Sequence, residues 1–173
     1  VTKRADEVKI GDSVPIPLFI PIEGKKQSFV LPEINKRSRQ HIKVPEKNSV
    51  EIFKIAGYLI SEGSREKSRG KIIGINFTNK DQRVLDDFER CMVAKFSLHP
   101  YKQAKIDEHD LRYCHRYISK ELAEFFKINL PEILNTSEGK AVPQLLMKGE
   151  KENISKMLSC LFEGDGYVSI KNR

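Results

Sequence analysis

The sequence predicts an α+β domain of order αββαββα followed by a second copy of its opening helix, and three observations carry that expectation. From residue 48 onward the hydrophobic period switches regularly between about 3.6 and about 2 residues. A helix ending in a carboxylate and a glycine, then a strand, occurs twice, which is a weak internal repeat. Residues 1–47 differ: Pro15, Pro17, Pro21, Pro32 and Pro45 exclude long helices there. Within that stretch, Val8–Val14 reads as two short strand pieces around a Gly-Asp turn, so the segment is expected to be short and β-rich.

The first helix is expected over 48–62, capped by Asn48 with Glu51 reaching back in a capping box. Ile52, Ile55, Ala56 and Leu59 form one apolar stripe, and Phe53, Gly57 and Ile60 form a second beside it, so neighbours must cover this helix on more than one side. Gly63 ends it. Strands are expected at 64–69 and 71–78, the second alternating Ile73, Ile75 and Phe77. A helix over 81–95 buries Val84, Leu85, Phe88 and Met92. Strands at 97–106 and 111–118 follow, and then Ser119 caps a helix bearing Leu122, Phe125 and Phe126. After a loop holding Pro131 and Pro143, the last helix, 152–165, places Ile154, Met157, Leu158 and Leu161 at helical spacing, and a strand begins at Tyr167–Ile170.

Charge narrows the function. Lys and Arg number 31 against 24 Asp and Glu, a net charge of +7. That balance favours a polyanionic partner, nucleic acid first. No apolar run approaches the roughly 20 residues that cross a bilayer. Cys91, Cys114 and Cys160 are odd in number, widely spaced and without a CxxC pair, which indicates neither a disulfide framework nor a structural zinc site. The expected setting is intracellular, reducing and cytoplasmic.

The repeated helices carry the chemistry. Residues 55–63 read IAGYLISEG and residues 158–166 read LSCLFEGDG. Gly57 and Ser61 in one, and Cys160 and Gly164 in the other, are small residues spaced i, i+4, a face on which two helices can approach closely. Glu62 and Asp165 then fall in the last turns, 103 residues apart, at the negative ends of the helix dipoles, where an acid costs up to about 1 kcal/mol. Two such acids brought together share a proton or bind cations. Oxygen-only ligation with the remaining shell left to water and phosphate suits Mg²⁺, which can supply hydroxide and stabilise a leaving oxygen in phosphodiester cleavage.

These two segments resemble the paired signature helices of LAGLIDADG (DOD-type) homing endonucleases. Glu62 in place of the first Asp is similar to the intein-borne branch of that family. The resemblance covers 48–173 and implies the homing-endonuclease fold. There, two αββαββα units pack their signature helices side by side and spread an antiparallel saddle sheet over double-stranded DNA. It implies that Glu62 and Asp165 hold the divalent ions, and that Lys140, in a block (139–143) resembling the one before the second motif, is a catalytic lysine. Residues 5–15 resemble the late splicing region of an intein. Residue 1 shows no splicing nucleophile and no terminal His-Asn pair is present, so the chain is not expected to splice alone. The implied organisation is a splicing-derived linker at 1–47, a first unit at 48–149, and a second signature helix at 150–173 opening an incomplete unit. A C-terminal segment or another chain is expected to supply the rest. The function implied is a Mg²⁺-dependent, site-specific double-strand DNA endonuclease, nucleoid-associated; the alternative is a non-cleaving DNA-binding module of the same fold or an intein fragment.

DNA contacts are expected on the polar strand faces: Arg65, Lys67 and Arg69; Asn76 and Thr78; His99, Tyr101, Gln103 and Lys105; Arg112 and Arg116. In the last strand Tyr113, His115 and Tyr117 compete for that face if the register flips. Lys36, Arg37, Arg39, His41 and Lys43 form a basic linker positioned to touch phosphate.

Overall fold

The computed structural model describes residue 9 and residues 24–33, 41–107 and 110–165, with side chains at all of these except 104–107, 110–112 and 165. The expected strand pieces at 8–14, the strand at 167–170, the intein-like stretch 5–15 and the basic residues Lys36, Arg37 and Arg39 lie outside this description, apart from Lys9 itself.

The first helix, α1 (Val50–Ser61), begins one residue later than Asn48 capping would place it. Ser49 is its N-cap, and its hydroxyl donates to Glu51 (2.7 Å) instead of accepting a backbone N–H. Asn48 is engaged elsewhere. It is buried, accepts from the Gln27 N–H (3.1 Å) and returns its own N–H to the Gln27 carbonyl (3.0 Å). A long-range strand-like pairing therefore outcompetes the local cap.

Strands β1 (Gly63–Ser68) and β2 (Lys71–Asn79) form a hairpin whose turn, Arg69 and Gly70, has φ of 49° and 76°. Both central residues left-handed is the geometry that matches the twist of a two-residue hairpin. Helix α2 (Gln82–Phe96) is capped by Asp81, which accepts from the Arg83 N–H (2.9 Å). Strands β3 (Tyr101–Asp107) and β4 (Asp110–Ile118) follow, and then α3 (Lys120–Asn129), capped by Ser119 as its sequence predicts. Two 3-10 turns (131–134 and 137–139) and a short α4 (Gln144–Met147) lead to α5 (Lys151–Asp165). The four strands make one antiparallel sheet of order β1-β2-β4-β3.

All core-forming helices lie on one side of this sheet. Ile75 and Phe77 of β2 stand opposite Tyr117 and His115 of β4, and all four are buried. Phe88 of α2 stacks on Phe77 (centroids 4.3 Å apart) and meets Tyr117 edge-on (5.6 Å). Phe125 of α3 meets Phe96 and Phe29 edge-on. Such pairs add about 0.5–1.5 kcal/mol each beyond area burial.

Phe29 belongs to a strap, residues 24–33 and 41–48, that runs over the helices. Ser28 bridges Lys47, the Asn129 side chain bonds both the N–H (2.8 Å) and the carbonyl (2.9 Å) of Val30, and buried Glu121 receives His41 Nδ1 (2.7 Å) and the Ile42 N–H (3.0 Å). Helix α5 packs along α1. Its Met157 and Cys160 are buried, whereas Leu158, expected with the core, is 39% exposed and Phe162 is 62% exposed.

Candidate active site and nucleic-acid interface

The small residues of the two repeats meet. A Cβ on Gly57 would lie 2.3 Å from the Met157 carbonyl oxygen and 3.0 Å from Cys160 Cβ, so only glycine admits α5 at this distance. Further along, a Cβ on Gly164 would lie 2.2 Å from Ser61 Oγ and 3.4 Å from Glu62 Cγ. The Ser61 hydroxyl turns back onto the carbonyls of Tyr58 (3.1 Å) and Gly57 (3.3 Å). The two helices therefore end together. Glu62, the C-cap of α1, sits against the last turn of α5, and Asp165 is the next residue after Gly164 and the last of that helix. The Asp165 side chain is outside the described part.

Lys140 completes this corner. Its ammonium donates to the carbonyls of Leu59 (2.7 Å), Ile60 (3.3 Å) and Gly63, which closes the C-terminal end of α1. A cation there opposes the negative end of the helix dipole and offsets the unfavourable placement of Glu62. Ser61, Glu62, Ser64, Asn135 and Lys140 border an open cavity of about 410 Å³. Among the described residues, no three His, Cys, Asp or Glu side chains converge in a way that would cage a metal ion.

Polar side chains behind the contact are paired. Asp87 of α2 accepts from Tyr58 Oη (2.8 Å), Arg90 (2.8 Å) and Lys54. Burial pushes its carboxyl up, but hydrogen bonds from Lys54, Arg90 and Tyr58 outweigh this and hold it below the usual range. Burial drives the Cys91 thiol up to about 12 and also raises Cys160. Cys114 is buried as well.

The helix-free face of the sheet is the other candidate surface, and the register shows which residues it carries. Asn76 faces Arg116 and Thr78 faces Cys114; Tyr101 faces Arg116, Gln103 faces Cys114, and Lys105 faces Arg112. These positions share the side away from Ile75, Phe77, His115 and Tyr117. The flipped register for β4 is thereby excluded. Side chains of Lys105 and Arg112 lie outside the described part.

Four expected contacts are placed differently. Arg65 stands opposite Ile75, on the helix side, and donates to the Leu134 carbonyl (3.0 Å). Lys67 shares its parity, and Arg69 belongs to the turn. The cause is the pairing itself: Gly63 stands opposite buried Phe77 and Arg65 opposite buried Ile75, while the register shift that leaves Ile73 without a partner in the ladder falls only beyond Glu66. The adjacent pair Ile72-Ile73, which breaks strict alternation, marks that shift in the sequence. His99 precedes β3 and lies 3.7 Å from Glu89 of α2, off the sheet face.

One residue of the open face escaped the sequence reading. Glu66 projects there from β1, accepting from Arg116 (2.7 Å) and from the Asn76 amide (2.7 Å). A carboxylate thus fixes the side chains of Arg116 and Asn76 on this face.

Residues 49–130 match the profile of the LAGLIDADG-like domain family. The chain is also similar to a glutamine–fructose-6-phosphate aminotransferase (isomerizing) of Methanocaldococcus jannaschii, 23% identical over 128 residues. That match takes in 73% of this chain but spans only 11% of the length of that protein. No helix among the described residues is long and apolar enough to cross a membrane.

Proposed function

We propose, from the match of residues 49–130 to the LAGLIDADG-like domain family, that the chain carries the first unit of a site-specific, Mg²⁺-dependent double-strand DNA endonuclease. The observation that carries this reading is the meeting of α1 and α5 at Gly57 and Gly164, which brings Glu62 to the last turn of α5 beside Lys140. Glu62 and Asp165 would hold the ion. A Mg²⁺ ion needs one or two carboxylates and fills its shell with water and phosphate, so a site without a protein cage fits it. When bound, it supplies an activated water and charge neutralisation at the scissile phosphate. The open sheet face positions the duplex: Tyr101, Gln103 and Arg116 approach base edges, with Arg116 and Asn76 held in place by Glu66. Lys140 fixes the end of α1 and so the direction in which Glu62 points.

The reading includes an intein-borne origin. A stretch similar to this chain within 11% of a protein named for aminotransferase chemistry fits an element carried inside an unrelated reading frame. A second αββαββ unit, from a following segment or another chain, completes the saddle. A second reading, a DNA-binding module that does not cleave, is favoured by Lys140, whose bonds run to the α1 carbonyls.

The test uses the longest reading frame containing the chain, duplexes selected from random sequence, and Mg²⁺. Glu62→Gln and Asp165→Asn should each abolish cleavage and leave DNA affinity unchanged or slightly higher. Undiminished cutting by either folded variant places the active site elsewhere, and a wild type that binds but never cuts favours the second reading.

A further inference from the structure

We propose that the groove between the β1–β2 turn and α3 is a second DNA contact that grips the phosphate backbone on the flank of the duplex, apart from the base-reading face. This rests on the DNA-binding reading above. The groove measures about 810 Å³ and is bordered by Arg69, Lys71, Ile72, Lys120, Glu124 and Lys127. Four cations thus face one carboxylate, and that carboxylate is bonded to Lys127 at 3.0 Å. Arg69, Lys71 and Lys120 have no anionic partner among the described residues, and all three are exposed.

Two of these cations occupy positions that local preference disfavours, and both departures make the groove more positive. Arg69 sits at φ 49°, where glycine, asparagine or aspartate would be less strained. Lys120 is the first residue of α3, at the positive end of a ten-residue helix dipole, where an acid would stabilise and a lysine does not. Concurrent local violations mark a functional demand, and here the demand is for positive potential. No aromatic side chain borders the groove to stack a base, so the chemistry it offers is charge for phosphate.

Geometry says where on the duplex this grip falls. Glu62 precedes Gly63 at one end of β1, and the turn lies beyond Ser68 at the other. Six strand residues at about 3.3 Å each separate the two sites by on the order of 20 Å. At about 3.4 Å per base-pair step, the groove meets backbone roughly six steps from the acids.

The experiment measures binding of the full chain to a random-sequence duplex of about 30 base pairs at several salt concentrations. It compares wild type, Lys71→Gln/Lys120→Gln, and a control with the same net charge, Lys26→Gln/Lys47→Gln on the strap. Losing two phosphate contacts should reduce the log–log salt slope by about 1.8. The wild-type advantage over the groove variant should then grow roughly tenfold on going from about 200 to about 50 mM salt. The control should keep the wild-type slope. Equal losses in both variants, or none in the groove variant while wild type shows a steep slope, overturn the groove proposal and leave the DNA reading standing. A flat slope for wild type overturns the DNA reading, and the groove with it. Urea midpoints for all three proteins exclude unfolding as the cause of a loss.

Discussion

Gly57→Ala adds a single methyl group at the tightest point of the α1–α5 contact. Its Cβ would fall 2.3 Å from the Met157 carbonyl oxygen and 3.2 Å from the Leu161 nitrogen, both of them backbone atoms of α5. An ordinary contact there is about 3.4 Å, so α5 must retreat by roughly 1 Å, and no side-chain rotation relieves the clash. Overpacking costs about 1–3 kcal/mol, and a rigid obstacle puts this case at the upper end. Alanine in a helix interior returns about 1 kcal/mol over glycine. The net loss is about 2 kcal/mol. With a urea dependence of about 2 kcal/mol per molar, the unfolding midpoint should fall by about 1 M, read by circular dichroism. Gly139→Ala is the control, because its Cβ would meet only the Asn135 side chain at 3.4 Å. A Gly57→Ala protein as stable as wild type, or more so, would refute the close helix approach and with it the juxtaposition of Glu62 and the end of α5.

Other outcomes follow from the same structure. Lys140→Met should destabilise the chain by about 2 kcal/mol, since the carbonyls at the end of α1 lose a charged donor; an unchanged urea midpoint with lost cleavage would instead make its role purely catalytic. Arg116→Ala should weaken DNA binding, and Glu66→Gln should weaken discrimination between sequences more than it weakens overall affinity; selection from random duplexes reads the second effect, and an unaltered consensus would sink it. Burial holds the His115 imidazole below its ordinary value of 6.5, so the unfolded chain takes up the proton first as pH falls. Its contribution to stability is present above about 6.5 and is lost as pH drops through the lowered folded value. Urea midpoints at pH 7.5 and pH 5.5 (~two units spanning that window) should therefore differ more in wild type than in His115→Phe, and equal differences would contradict the assignment.

The element order was legible because each element satisfies its own local rule: Asp81 and Ser119 cap their helices, and Ile75 and Phe77 alternate onto the core. The α1–α5 pairing was legible from the spacing of Gly57, Ser61, Cys160 and Gly164, because close backbone approach permits so few residue types. What escaped was non-local. Asn48 gives up the cap because Gln27 claims its side chain from 21 positions away. Pairing with Ile75 puts Arg65 on the helix side, with Lys67 sharing its parity, and no periodicity computed along one strand reveals what its neighbour does. Glu66 is recognisable only once Arg116 and Asn76 are known to stand across from it, since a lone glutamate in a polar strand carries no such signal.

The strap has a consequence for how far this unit can be trimmed and moved. Family similarity begins at residue 49, yet side chains of α3 hold the strap, residues 24–33 and 41–48. Asn129 meets both polar groups of Val30, and Glu121 is engaged by His41 and Ile42. Excision at residue 49 would strip the partners from a buried amide and a buried carboxylate and uncover Phe125 where Phe29 now lies. Each unsatisfied buried group costs about 1–3 kcal/mol, more when charged, against a total stability of about 5–15 kcal/mol for a domain. The portable fragment therefore starts near residue 24. Any transplant into another polypeptide must carry this leading segment with it, so the boundary that matters for heredity or engineering lies some 25 residues upstream of the one that sequence similarity draws.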